Sequence, residues 1–346
     1  MKSEPARTLR LRRDADALAA NWRTLDAMSR PAAAGAAVKA DAYGIGVDFA
    51  VPVLRDAGCN AFFVAHWSEV AEVLAHVPGS QVSVLHGPLN AQDCAYARAA
   101  GVRPVINSLF QAKLWLESGG GPCDLMVDTG INRLGLTAEE TADPLVTWLE
   151  IDTIMSHLAC ADEDHPLNAK QLAAARDVFA AVPARRRSLA NSAGIALGQD
   201  YAFDITRPGI SLYGGAQVAA LEGAIRQVVF PEAAIIQCHT LRAGESAGYN
   251  ALFTASRDMP VATVSIGYAD GMLRCWTGKA TLKHGDAELP VLGRVSMDMV
   301  VVDLSAAPDL AEGHWLELPY ALPQASAASG LSQYELLTAL GHRFAR

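Results

Sequence analysis

Several short stretches of this 346-residue sequence carry side chains able to do chemistry. In Ala37-Val38-Lys39-Ala40-Asp41-Ala42-Tyr43-Gly44 an apolar run delivers one lysine to a turn, followed by a tyrosine and a glycine. An amine leaving a buried strand can attack an aldehyde and form a Schiff base, and burial or a nearby cation lowers its pKa toward the nucleophilic form. Pyridoxal phosphate is the cofactor this chemistry suggests. The same eight residues equally describe a lysine whose stem packs at a strand end while its charge reaches water. Asp128 to Arg133, His157, Asn191-Ser192 and Arg207-Pro208-Gly209-Ile210 each follow an apolar segment. Each has a structural reading of its own: His157 as a core histidine, Arg207 as an ion-pair partner, Ser192 as a helix cap. Two of these loops together also suit a phosphate. Asn191-Ser192-Ala193-Gly194 offers a hydroxyl and N–H groups opening a short helix, and Gly209 lets the backbone approach closely. Tyr43 adds a phenol one turn beyond Lys39.

These residues need elements that bring them to one place. The first two thirds of the chain alternate short apolar strands with amphipathic helices, the pattern of βα units around a parallel sheet. Strands are predicted at Ala36 to Lys39, Ala61 to Ala65, Gln81 to His86, Arg103 to Ile106, Asp124 to Asp128, Thr153 to His157, Arg187 to Ala190 and Phe203 to Arg207. Helices are predicted between them at Asp48 to Ala57, Ser68 to Ala75, Ala91 to Ala100, Ser108 to Leu116, Ala138 to Leu149 and Leu167 to Ala181. This reads as an α/β fold, an N-terminal (β/α)8 TIM-like barrel over residues 1–220. In such a barrel the reactive residues gather at the C-terminal rim, where Lys39, Asp128 to Arg133, His157, Asn191-Ser192 and Arg207 all fall. From about Gln227 the character changes to strands between Gly-bearing turns without intervening helices. They are Val261 to Ile266, Ala280 to Lys283, Pro290 to Leu292, Met299 to Leu304 and Trp315 to Leu318, with a last helix at Ser332 to Leu340. A mainly-β C-terminal domain over 221–346 is expected.

Composition narrows the function classes. With 51% hydrophobic and 19% charged residues the chain can bury a large core, which excludes a disordered protein. A net charge of -9 argues against a nucleic-acid partner. The six cysteines are scattered without CxxC pairs, and no apolar run reaches signal-peptide or membrane-spanning length, so a cytoplasmic protein without a membrane partner is expected. The run Asp162-Glu163-Asp164 between His157 and His165 lacks any ligand-spacing motif and reads as solvated charge, so no metal is assigned.

Taken in order, the motifs resemble the alanine racemases, pyridoxal-phosphate enzymes of fold type III, over nearly the whole length. The resemblance rests on Val38 to Gly44, Asp128-Thr129-Gly130-Ile131-Asn132-Arg133-Leu134-Gly135, His157 to Asp162, Asn191-Ser192 and Arg207-Pro208-Gly209-Ile210-Ser211-Leu212-Tyr213-Gly214. It continues through Gly248-Tyr249, Gly267-Tyr268-Ala269-Asp270-Gly271, Gly293-Arg294-Val295-Ser296-Met297-Asp298 and Tyr334-Glu335. It implies that Lys39 carries the cofactor, Arg207 faces the pyridine nitrogen and His157 lies near the ring. Tyr43, Ser192, Gly209, Ile210 and Tyr334 are implied phosphate contacts. Arg133 and the backbone of Met297 are implied carboxylate contacts, with Tyr268 at the entrance. The implied reaction interconverts L- and D-alanine and supplies D-alanine for peptidoglycan. Inversion needs a proton to leave one face of Cα and another to reach the opposite face, so Lys39 is paired with a second base, Tyr249. In the family these two come from different subunits, which implies a homodimer. A tyrosine near its ordinary pKa of ~10 is a poor base, so a cation must favour its phenolate, and a path through His157 to Arg207 supplies one. As an obligate cation and donor, Arg207 keeps the pyridine nitrogen unprotonated.

One departure bears on mechanism. Many family members carry a carbamylated lysine two positions before the Asp-Thr-Gly motif, where it holds the substrate-binding arginine. Met126 stands there in this chain, so a small anion such as chloride, or another carboxylate, is expected to orient Arg133. Three alternatives to a dedicated alanine enzyme are an alanine/serine racemase of broader specificity, a non-catalytic pyridoxal-phosphate-binding barrel and a fold-type III decarboxylase. The second lacks the β-domain and its tyrosine. The third needs a cysteine-bearing β-domain motif that this sequence does not show.

Overall fold

The computed structural model describes residues 5–344. It divides into two units, one spanning residues 15–226 and one built from the N-terminal strand together with the chain from Gln227 onward. This division differs from the expected boundary at 220. The first strand, β1 (Leu9–Arg13), pairs antiparallel with Val229–Ala233 and so belongs to the second unit. No sequence period marks that transfer, because pairing partners of an edge strand are set by tertiary contacts.

The larger unit is a barrel. Among its described residues the parallel strands are β2 (Ala33–Ala34), β3 (Ala36–Ala37), β4 (Phe62–Val64), β5 (Val82–Val84), β6 (Arg103–Ile106), β7 (Pro122–Met126), β8 (Glu150–Met155), β9 (Arg186–Ser188) and β10 (Ile205–Thr206). Strands β3 to β9 form one sheet in chain order, and β10 pairs with β2. Because β2 and β3 are halves of one strand, broken at Gly35, the ring can close. Asp204 N–H donates to Arg187 C=O (3.0 Å) and Arg207 N–H to Ala190 C=O (2.9 Å) on one side of β10. Ala33 N–H to Asp204 C=O (3.2 Å) and Gly35 N–H to Thr206 C=O (2.9 Å) complete the other.

Side chains two residues apart on a strand share a face, which stacks the barrel interior in layers. Phe63, Val105, Met126, Met155 and Ile205 make an apolar middle layer. Toward the strand starts lie Arg103 and Asp124, where Ser83 Oγ donates to Asp124 Oδ2 (2.6 Å) and Arg103 pairs with Asp124 and Asp152. Toward the strand ends lie the reactive residues. The interior thus passes from paired charge at the strand starts, through an apolar layer, to the reactive residues at the strand ends.

One predicted helix is broken, and one helix was not predicted. Ala138 to Leu149 is not one helix but a single turn at Glu140–Ala142 and a short helix at Pro144–Thr147. Pro144 forces Asp143 into the extended region (φ -63°, ψ 138°), which breaks the run. A helix at Ala15–Ser29, not anticipated from the sequence, buries Leu18, Trp22 and Leu25.

The second unit is antiparallel. After the long β11 (Val229–Leu241) come β12 (Ser246–Ala247), β13 (Phe253–Thr254), β14 (Met259–Val264), β15 (Thr281–His284), β16 (Ala287–Leu292), β17 (Val300–Asp303) and β18 (Trp315–Glu317). The sheet order is β1-β11-β14-β17-β16-β15-β18, and β18 returns to pair with β11. After the last strand a further helix, Leu322–Ser329, not anticipated from the sequence, precedes the predicted one. That last helix, Gln333–Thr338, is N-capped by Ser332, whose Oγ accepts the Glu335 N–H at 3.2 Å. No helix among the described residues is long and apolar enough to cross a membrane.

Candidate active site

Lys39 follows β3 at the barrel rim, and the chain beyond it takes an unusual path. Ala40, Asp41, Ala42 and Tyr43 all have φ between 52° and 58°, a left-handed turn built from residues with side chains. At about 1–2 kcal/mol per residue such a run persists only where its surroundings hold it. Ala42 N–H donates to Val38 C=O (2.9 Å), Gly44 N–H to Ala40 C=O (2.8 Å), and Val47 N–H to Asp41 Oδ1 (2.7 Å). The turn throws Tyr43 back beneath the rim, where it is buried with its ring 4.9 Å from that of Tyr213.

The cluster around Lys39 is cationic. Burial first, then the Arg133 and Arg207 guanidinium groups, lower the Lys39 amine below its ordinary value, against the opposing charge of Glu69. Arg207 is buried, with Nη1 donating to Ser188 Oγ and Nη2 to Ser156 C=O. Burial pushes its guanidinium down to about 10, so it remains charged at neutral pH. His157 follows β8. Desolvation, then Arg207, Arg133 and Lys39, push its imidazole down to about 3, leaving it neutral. Gln171, itself buried, fixes this loop by donating to His157 C=O (2.9 Å) and accepting the Ala159 N–H (2.9 Å).

A second grouping, around Ser192 and Gly209, could hold an anion. Ser192 Oγ accepts the N–H groups of Gly209 (2.9 Å) and Ser211 (3.3 Å). With both lone pairs used, its O–H is left as a donor. Gly209 backs onto the Tyr43 phenol, and a Cβ there would come within 2.2 Å of Tyr43 Oη. Tyr43, Ser192, Gly209 and Ile210 are therefore brought together, all buried.

Arg133 stands exposed on the loop after β7, whose Asp128 Oδ1 accepts the N–H groups of Gly130 (2.8 Å), Ile131 (3.1 Å) and Asn132 (3.2 Å). Asp128 is thus spent on the backbone. No carboxylate among the described residues pairs with Arg133, and Met126 is packed in the apolar barrel layer. The carboxylate that sequence reading allowed as a stand-in is therefore not supplied by these residues. The acidic run Asp162-Glu163-Asp164 is exposed, and the His165 that follows it caps the helix Pro166–Ala181, its Nδ1 accepting the Leu167 N–H (3.1 Å).

In the second unit, Tyr249, Tyr268 and Met297 line one depression of about 440 Å³ with Arg274, Arg294 and Asp298. Tyr249 sits on a turn between Gly248 (φ 75°) and Asn250 (φ 63°) and is 67% exposed. Tyr268 N–H donates to Ser296 C=O and Ala269 N–H to Met297 C=O, both at 3.0 Å, so the two loops are joined through their backbones. Arg343 locks them, bidentate on Asp270 (2.7 and 2.8 Å) and reaching Asp298 (2.7 Å). Arg274 lies 5.0 Å over the Tyr268 ring. Tyr334 lies apart from this depression on the last helix, partly exposed. Sequence reading missed Glu69, Gln171, Arg274 and the serines that hold Arg207. Arg294, Asp298 and Asp270, by contrast, lie within the family motifs.

The model of the alanine racemase N-terminal domain matches residues 13–217, and that of the C-terminal domain matches residues 228–346. The chain belongs to the alanine racemase family. The alanine racemase of Methylobacterium nodulans is 40% identical over 352 residues, covering 97% of this chain and 95% of that protein. The crystal structure of alanine racemase from Bartonella henselae with covalently bound pyridoxal phosphate superposes with a TM-score of 0.89 at 36% identity, covering 99% of both chains. The biosynthetic enzyme of Pseudomonas aeruginosa gives 0.85 at 33% identity and the same coverage. Enzymes of this family are pyridoxal-phosphate-dependent isomerases, and the residues at the barrel rim fit that cofactor. An amine of lowered basicity, a buried permanent cation and a seat closed to any side chain at Gly209 match its aldehyde, ring nitrogen and phosphate in turn.

Proposed function

We propose that this chain interconverts L- and D-alanine in the cytoplasm with pyridoxal 5'-phosphate attached at Lys39, and that it does so as a homodimer. The reading rests chiefly on the rim cluster, in which a lysine of lowered basicity, Arg207 and the Tyr43–Ser192–Gly209 seat stand together. The wider role that follows is supply of D-alanine for peptidoglycan.

Tyr43, Ser192, Gly209, Ile210 and Tyr334 hold the phosphate, with the Ser192 O–H as donor. His157 and Arg207 would line the ring, and a guanidinium facing the pyridine nitrogen would keep a proton off it. Bound there, the cofactor supplies an aldehyde for amine capture and an electron sink that acidifies the substrate Cα–H. Arg133 and the Met297 backbone fix the substrate carboxylate, and Tyr268 narrows the entrance. The Lys39 amine moves a proton at one face of Cα. Tyr249 of the other subunit holds a proton at its hydroxyl on the opposite face, since one residue does not reach both. The exposure of Tyr249 within its own chain supports its serving a second copy.

Incubation with L-alanine, and separately L-serine, in deuterated water tests this. Wild type is expected to form D-alanine with Cα exchange, and Tyr249→Phe to lose about 10²- to 10⁴-fold in turnover. Absence of D-product from wild type would sink the reading, and the serine arm measures how tightly the substrate is restricted.

A further inference from the structure

Glu69 lies in the segment after β4 and belongs to none of the motifs above. Its Oε2 accepts the N–H groups of Ala65 (2.7 Å) and His66 (2.9 Å), which caps the turn Trp67–Glu69 locally. Its Oε1 does something else. It accepts the N–H of Ala40 at 2.5 Å, across 29 residues of sequence. Ala40 is the residue after Lys39 and the first of the left-handed turn. One carboxylate therefore ties the exit of β3 to the exit of β4 at the point where backbone conformation is most costly.

The charges around the Lys39 amine give this contact a second meaning. Arg133 and Arg207 face the amine, as do the His157 and His86 imidazoles, and His66 packs on His86 with ring centroids 4.1 Å apart. Glu69 is the carboxylate among these groups that opposes the cations at Lys39.

We propose that Glu69 is a positioning residue for Lys39: its carboxylate fastens the turn that follows the lysine to the exit of β4 and serves as counter-charge to the amine. A local cap needs only Oε2. The bond from Ala40 and the opposition to Arg133 and Arg207 are what exceed capping. The inference rests on Lys39 being the amine that captures the cofactor.

The test uses the full chain freed of cofactor and mixed with pyridoxal 5'-phosphate across a pH series. Borohydride quenching and mass spectrometry then quantify labelling of the Lys39 peptide, with thermal melts run in parallel. For Glu69→Gln, loss of the counter-charge is expected to move the midpoint of labelling to lower pH by roughly half a unit or more. Loss of one acceptor is expected to slow plateau labelling about tenfold. Glu69→Asp keeps the charge but shortens the reach, so its midpoint stays while its plateau rate falls. A Glu69→Gln protein that melts lower but labels like wild type in both respects overturns the inference, leaving a cap. If Glu69→Gln does not fold, Glu69→Asp decides alone: a lowered plateau at unchanged midpoint supports the role, and a wild-type plateau overturns it. Wild-type labelling at a lysine other than Lys39 removes the underlying reading, and the inference with it.

Discussion

At the residue scale, the rim cluster gives acidity a definite direction of effect. His157 is pushed down to about 3 in the folded chain, against an ordinary value of 6.5. Between those values the unfolded state holds a proton that the folded state lacks. The stability linked to His157 is therefore complete above about pH 6.5 and is lost as pH falls toward 3. His157→Asn cannot titrate. Urea unfolding at about pH 7 and about pH 5 is expected to show a smaller loss on acidification in this variant than in wild type, and equal losses would contradict the assignment. Arg133 makes a different demand. Met126 lies in the apolar layer and no carboxylate among the described residues pairs with the guanidinium, so the expected small anion can be tested directly. The KM for alanine is expected to fall several-fold as chloride replaces a bulky anion at constant ionic strength. Indifference of KM to chloride would mean that the loop backbone alone holds Arg133.

At the scale of elements, what the sequence revealed was what periodicity can reveal. Strand Arg103–Ile106 and helix Ala91–Ala100 stand where their apolar spacing puts them, and the rim residues follow strand ends as a barrel requires. The helix Ala15–Ser29 is legible too, since Leu18, Trp22 and Leu25 recur at helical spacing, yet it lies ahead of the first βα unit and was not predicted. Glu69 escaped for another reason: its partners are backbone N–H groups, which no side-chain pattern marks. The left-handed turn after Lys39 is hidden likewise, since Ala-Asp-Ala-Tyr carries no glycine to announce it. Gly209 is the opposite case, where residue type and geometry agree. In Gly209→Ala the new Cβ would meet Tyr43 Oη at 2.2 Å and Cζ at 2.9 Å, and the Tyr213 ring packed on Tyr43 resists its retreat. Cofactor retention in equilibrium dialysis is expected to weaken about tenfold, with roughly 1–3 kcal/mol lost in stability. Unchanged retention would remove Tyr43 and Gly209 from the phosphate seat.

At the scale of the whole molecule, the two proposed bases lie in different units of the chain, Lys39 at the barrel rim and Tyr249 on an exposed turn of the β unit. The proposed homodimer assigns each barrel the Tyr249 of the other copy, as a closed two-fold arrangement permits. That assignment has a consequence that separate sites lack. Lys39→Ala and Tyr249→Phe homodimers are each impaired at both sites. A hybrid of the two concentrates both lesions in one site and leaves the other with an intact Lys39 and an intact Tyr249. Random exchange makes half the dimers hybrid, so mixing the two variants is expected to restore roughly a quarter of wild-type activity. The recovery is to be followed as D-alanine formation after subunit exchange at high protein concentration. If each site instead used the tyrosine of its own chain, every site in every mixture would carry a lesion. No activity beyond that of the separate variants would then appear, and the shared-site dimer would fall while the rim cluster around Lys39 stood.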